Sequence, residues 1–104
     1  MGFNVNFKKR MLNMLLDIIM LKYARDNGSL AGYDIMVWVR EKYDVLLSSG
    51  VVYAKVRRLE KDGLVEGKQN KRKRVYMLTE KGEEFLESIL SDPIAEQVLT
   101  LLAC

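Results

Sequence analysis

The sequence predicts a mainly α-helical chain carrying one small β-hairpin and ending in a helical segment. Three observations predict it. Apolar residues recur at helical spacing over several stretches, while Asn27-Gly28, Gly63 and Ser91-Asp92-Pro93 punctuate the chain between them. Two short runs suited to strands, Leu64–Lys68 and Val75–Leu78, flank a polar, basic stretch.

The elements follow in order. Residues 11–24 contain no Gly or Pro, and only Asn13, Asp17 and Lys22 are polar. A surface helix normally buries one stripe, but this one is apolar almost all round. One face fills the core, and the excess asks for a second partner, most simply another copy of the chain. Asn27-Gly28 stops this helix near Asp26. A second helix runs from about Tyr33 to Lys42, with Ile35, Trp38 and Val39 as its buried stripe. Trp38 is read as a core residue rather than a stacking platform. Ser48 or Ser49 caps a third helix, about Ser49 to Asp62, with Gly63 just past its end. The hairpin is read as strands 64–68 and 75–78 joined by a turn over Gln69–Arg74. Thr79 caps a helix from about Glu80 to Leu90, and Pro93 opens a last helix to about Ala103.

Composition narrows the function. At 104 residues the chain is one domain, and its 49% apolar and 30% charged residues describe an ordinary globular protein. There is no His, which removes the commonest general base and metal ligand. The one Cys, Cys104, excludes an internal disulfide and a Cys-based zinc site; a free thiol is expected there. No metal, cofactor or catalytic constellation is expected, so an enzyme is the least favoured class. Lys8-Lys9-Arg10 before an apolar run resembles a signal peptide. Asp17 interrupts that run, no small-residue cleavage site follows, and it is shorter than the ~20 residues that span a bilayer. A buried helix in a cytoplasmic protein is the expectation.

Charge is unevenly placed. Residues 1–54 carry seven basic and five acidic groups, residues 55–76 nine and three, and residues 77–104 one and six. A basic middle of net +6 beside an acidic tail of net −5 points to a surface that meets a polyanion.

Helix, helix, helix, basic hairpin, helix is the order of a winged helix-turn-helix, and a helix of this kind fits the major groove of DNA. At 100° per residue, Val52, Val56 and Leu59 of the third helix form a core stripe. Gly50, Ala54, Arg57 and Lys61 lie opposite, with Arg58 close by. Small residues let a backbone approach a groove, and Arg bonds guanine edges or phosphates. Val51 is placed for a thymine methyl and Tyr53 for a phosphate. Lys71, Arg72, Lys73 and Arg74 are four consecutive cations that gain nothing from one another in a free protein, and a wing lying along phosphates explains them. Lys8, Lys9 and Arg10 fit a solvated N-terminal arm equally well.

These residues resemble the PadR family of winged-helix transcriptional regulators. Ala31-Gly32-Tyr33-Asp34-Ile35 resembles that family's His-Gly-Tyr-Glu-Ile entry into the second helix. Leu47-Ser48-Ser49-Gly50-Val51-Val52-Tyr53 resembles its Leu-Ser-Pro-Gly-Thr-Leu-Tyr opening of the recognition helix. Arg57 to Val65, and Tyr76-Met77-Leu78-Thr79-Glu80-Lys81-Gly82, resemble the remainder, although the Leu-Thr-Glu-Lys-Gly stretch recurs in other winged-helix families. The resemblance implies a homodimer repressing transcription at a palindromic operator, dimerising through its first and C-terminal helices, with contacts near Ser48, Gly50, Val51 and Tyr53. Ala31 stands where the family has His, Ser49 where it has Pro, and Val51 where it has Thr, which removes a hydroxyl from the contact surface. The short C-terminal part is expected to leave little room for a separate effector domain, so any ligand sensing would have to use the dimer interface.

The expectation is therefore a winged helix-turn-helix over 1–79 and a C-terminal helical dimerisation segment over 80–104. Double-stranded DNA is the partner of Ser48, Ser49, Gly50, Val51, Tyr53, Ala54, Arg57, Arg58, Lys61 and the 71–74 run. A second copy is the partner of Met11, Leu15, Ile18, Ile19, Phe85, Ile89, Ile94, Val98, Leu101 and Leu102. The competing readings are a winged-helix protein-interaction module and a non-specific architectural nucleic-acid-binding protein.

Overall fold

The computed structural model describes residues 5–103, so the Cys104 thiol lies outside the described residues. The elements are α1 (Val5–Met14), α2 (Leu16–Asn27), α3 (Gly32–Tyr43), α4 (Ser49–Lys61), β1 (Val65–Asn70), β2 (Lys73–Leu78), α5 (Glu80–Leu90) and α6 (Pro93–Leu102). The expected class is the observed one: helices around one core, with a two-stranded antiparallel hairpin projecting from it.

The single first helix read from 11–24 is longer and divided. It begins at Val5, so Lys8-Lys9-Arg10 lies on a helix rather than in an extended arm. It tightens at Leu15, whose N–H is shared between the carbonyls of Met11 (3.1 Å) and Leu12 (3.2 Å). Neither Gly nor Pro lies there, and nothing in the local sequence dictates the break. Leu12, Leu16, Ile19, Met20, Leu21 and Ala24 are all buried in the chain's own core. Most of the apolar excess is thereby used internally. Met14, 71% exposed, and the half-buried Leu15 and Ile18 remain outside.

The punctuation acts locally as read. Gly28 ends α2 in the left-handed region, at φ 84°. Ser48 caps α4 by accepting from the Val51 N–H at 3.2 Å. Past α4, the N–H of Leu64 bonds the Leu59 carbonyl and that of Gly63 the Glu60 carbonyl, with Gly63 at φ 77°. That is the Schellman arrangement, and it turns the chain directly into the hairpin. Thr79 caps α5 through Gly82 and donates its hydroxyl to the Gly63 carbonyl at 2.6 Å, tying the hairpin's two ends together. Asp92 caps α6 with Pro93 in its first turn.

The hairpin departs from expectation. Its register runs from Val65↔Leu78 to Asn70↔Lys73, leaving only Lys71-Arg72 as the turn. The expected six-residue turn is mostly strand, because a wing with both faces in solvent lacks the apolar alternation that marks a strand in sequence. Lys71 adopts φ 58°, where a side chain costs roughly 1 kcal/mol over Gly. The hairpin's base is fixed by Leu30 and Tyr76, which exchange two backbone hydrogen bonds of 2.8 Å.

Trp38 sits in a half-buried aromatic cluster, edge-on to Tyr23 (5.2 Å) and Tyr43 (5.7 Å), with the Lys42 ammonium 5.0 Å from its ring. Burial, and then the charge of Glu96, push the Tyr43 hydroxyl above the ordinary tyrosine range. No helix among the described residues is long and apolar enough to cross a membrane.

Candidate nucleic-acid interface

The amphipathic division of α4 positions the interface. Val52, Val56 and Leu59 are buried against α2 and α3, which fixes the helix's rotation about its axis. Ser48, Ser49, Gly50, Val51, Tyr53, Ala54, Arg57, Arg58 and Lys61 are consequently all exposed. Arg57 and Lys61 have no ion-pair partner among the described residues, whereas Arg58 meets Asp62 at 3.4 Å, one turn on. The N-terminal half of the exposed face is small and the C-terminal half cationic.

Two glycines shape this face differently. A Cβ added at Gly32 would lie 2.5 Å from the Tyr53 ring, so the ring is laid across the first turn of α3 because no side chain stands there. A Cβ at Gly50 would meet nothing within 4 Å. Nothing inside the chain requires glycine at Gly50, although it costs helix stability. We expect Gly50→Ala to raise unfolding stability by a few tenths to about 1 kcal/mol, read by urea titration. The same variant should bind duplex DNA more weakly, because a methyl group would stand between the backbone and a groove. A variant that gained stability and kept its affinity would remove Gly50 from the interface.

The wing cations are not alike. Lys71 and Arg72, at the tip, are exposed with no ion-pair partner among the described residues. Lys73 Nζ bonds Asp34 Oδ2 of α3 at 2.9 Å. Arg74 Nη2 bonds Glu60 Oε2 of α4 at 3.0 Å, and that same oxygen accepts the Gly67 N–H at 3.2 Å. The Arg74 guanidinium lies where a side chain on Gly67 would be and over the Tyr76 ring, 5.5 Å from its centre. The hydrogen bond to Glu60, with Tyr76 next, raises the Arg74 pKa above its already high ordinary value. Two of the four cations are thus held by carboxylates of the body. Sequence gave no signal for Asp34 or Glu60 as partners, since acids on helix faces are ordinarily solvated and these pairs span 39 and 14 residues.

A cleft of about 360 Å³ joins α3, α4 and the wing; Tyr33, Asp34, Tyr53, Arg72 and Lys73 are among its lining. Asp34 is the one carboxylate lining it. Tyr33, 68% exposed beside the wing, was missed by the sequence reading.

The residues expected to meet a second copy divide as well. Leu15, Ile18, Ile89, Ile94 and Val98 come together along one apolar groove of about 400 Å³ between the N-terminal and C-terminal helices. Met11 packs half-buried beside the core, and Leu101 is exposed on α6. Phe85 lies apart, in a charged cleft with Asp17, Lys55 and Arg58. Ile19 and Leu102 correct the expectation: at 1% and 2% exposure they belong to the chain's own core and offer no surface to a partner.

Comparison with known proteins places this architecture. The family described as the transcriptional regulator PadR-like family matches residues 20–88, from within α2 to near the end of α5. A PadR-like transcriptional regulator from Bacillus cereus strain ATCC 14579 is 24% identical, with a TM-score of 0.73 over 91% of this chain and 98% of that one. PadR of Bacillus subtilis, solved in complex with operator DNA, is 25% identical, with a TM-score of 0.64 over 73% of this chain and 45% of that one. F93 from STIV, described as a winged-helix DNA-binding protein, is 27% identical, with a TM-score of 0.64 over 71% of this chain and 82% of that one. No curated protein sequence matches the chain. The family is one of transcriptional regulators rather than enzymes, and with its three-helix core, capped α4 and two-stranded wing the chain is a winged-helix member of the transcriptional regulator PadR-like family.

Proposed function

We propose that the chain is a cytoplasmic, sequence-specific repressor that binds double-stranded DNA as a homodimer at a palindromic site. α4 enters the major groove with Ser48, Ser49, Gly50, Val51, Tyr53, Ala54 and Arg57 towards the bases and adjoining backbone. Arg58 and Lys61 follow at its C-terminal end, and the wing lies along neighbouring phosphates. The observation that carries this reading is the conjunction of a groove-sized exposed helix face, small then cationic, with two unpaired cations at the tip of the adjoining wing. The Bacillus subtilis relative with operator DNA supports it.

The second copy is proposed to cover the apolar groove and the exposed Ile94 and Leu101, joining residues 80–103 and the first helices of each subunit. A C2 pair repeats one half-site, and the dimer sets the spacing between the two copies. Selection of bound duplexes from a random DNA pool tests the whole reading. The expected product is an inverted repeat with half-sites about one helical turn or a multiple apart. Enrichment of no sequence would favour an architectural protein, and absence of DNA binding a protein-interaction module.

Dimerisation has its own check. Ile94, 64% exposed at the lip of the groove, can take a charge without disturbing the core. Ile94→Glu should move the sedimenting species from a dimer to a single chain of 12.0 kDa at micromolar concentration. Its far-ultraviolet dichroism should stay unchanged. An unaltered dimer would place the interface elsewhere.

A further inference from the structure

Of the four wing cations, the two that touch the body are held very differently. Arg74 is locked: Glu60 also holds the Gly67 N–H, the guanidinium fills the space over Gly67, and Tyr76 lies beneath it. Removing Arg74 from this position breaks several contacts at once. Among the described residues Lys73 is held by a single hydrogen-bonded pair, with Asp34, and both side chains are about half exposed. An exposed pair of this kind is weak and screened by salt, so another anion can displace it. That anion would meet Lys73 in the cleft where Asp34 is the one lining carboxylate, beside Arg72 and the Tyr53 ring.

We propose that Asp34 is a brake on the wing: it competes with a DNA phosphate for Lys73 and so weakens the wing's binding to duplex DNA. This rests on the DNA-binding reading above. On a random duplex, α4 gains little and the wing engages with Lys71 and Arg72 while Lys73 stays on Asp34. On the cognate site, α4 contacts seat the wing close enough for a phosphate to take Lys73. Asp34 is then left facing a polyanion, a repulsion that only a well-fitting site offsets. Arg74 stays on Glu60 in both cases, as the strut that sets the wing's angle to α4. A purely local role for Asp34 also exists, because an acid in the first turn of α3 favours that helix's dipole. That role affects folding stability and gives no reason for an affinity change.

The test uses the full chain with Asp34→Asn, Lys73→Ala and the double variant, titrated by fluorescence anisotropy. Each is measured against a short random-sequence duplex and against the selected site, across a salt series. Asp34→Asn should tighten binding to the random duplex about two- to fivefold, the worth of an exposed pair. It should steepen the salt dependence towards one more phosphate, about 0.9 in slope. It should tighten binding to the selected site at least as much, because there the unmodified chain gives up the pair and bears the repulsion; a gain confined to the random duplex would overturn the exchange. In the Lys73→Ala background, where only the repulsion between Asp34 and the duplex is left, Asp34→Asn should give a clearly smaller gain on the random duplex. An equal gain in both backgrounds would show general repulsion instead of competition for Lys73, and no gain in either would leave Asp34 with its helix-end role; each overturns the brake. Thermal melts of all variants separate a folding defect from either result. If the unmodified chain binds neither duplex even at low salt, the DNA-binding reading itself fails, and the brake with it.

Discussion

Replacing Lys71 and Arg72 together by alanine should weaken duplex binding on the order of tenfold and flatten its salt dependence by about 1.8 in slope, two phosphates' worth. Both side chains are exposed at the wing tip and have no carboxylate partner among the described residues, so their loss removes charge without removing an ion pair there. Thermal stability should hold steady, and it can even rise slightly, because the cations repel one another across the turn. The contrast is with Arg74→Ala, which also releases Glu60 and the Tyr76 ring. That variant should lose stability as well as affinity. An unchanged salt slope in the Lys71/Arg72 double variant would mean that the wing tip does not meet phosphate, and the proposed docking would have to be abandoned.

The largest expected effect on folding comes from one methyl group. Gly82 sits in the first turn of α5, where the helix presses on the Leu64 carbonyl, itself bonded to the Thr79 N–H. A Cβ there would overlap the Leu64 carbonyl oxygen and crowd the Leu64 carbonyl carbon and a Leu78 methyl, both at 2.9 Å. The overlapping atoms are backbone at the point where the wing joins α5, so they cannot swing aside like the end of a side chain. Gly82→Ala should therefore cost about 3 kcal/mol, the upper range for overpacking. For a chain of this size that is roughly 12–24 °C in melting temperature. The urea midpoint should fall with its slope unchanged. The sign is the diagnostic, since Gly to Ala inside a helix ordinarily stabilises by up to ~1 kcal/mol, as expected at Gly50. A neutral or stabilising Gly82→Ala would show that α5 does not dock against Leu64 this closely in solution.

What could be read from the sequence depended on how local the cause was. Ser48, Gly63, Thr79 and Asp92 act on groups within a few residues of themselves, and their roles as caps and stops were legible. The rotation of α4 was legible too, because three apolar positions at helical spacing leave one way to bury them. Periodicity could not say which apolar face belongs to the chain's own core, and so Ile19 and Leu102 were assigned to a partner. The full length of β1 and β2 was hidden because a projecting wing buries little along its outer half. The Leu30–Tyr76 bridge and the Asp34–Lys73 and Glu60–Arg74 pairs join residues far apart in the chain, and neither end carries a mark of the other. The candidate contact surface was therefore visible as a set of exposed residues, while the pairing of two of its cations with the body was not.

The bridge at Tyr76 makes the wing a cantilever. Its root is clamped by two hydrogen bonds to Leu30, by the Thr79 hydroxyl on Gly63 and by Glu60 across both strands. Beyond Arg74, among the described residues, it is stiffened by the pairing of the two strands, the Gln69 side-chain bond to the Lys71 carbonyl and the Lys73–Asp34 contact. Arg72 stands four residues past the Tyr76 bridge, about 13 Å along the strand at the rise of an antiparallel strand. A major groove is about 12 Å wide. If α4 lies in one, as proposed, that length would carry the tip beyond the groove's edge, and the anchorage at Tyr76 would set which stretch of backbone it reaches.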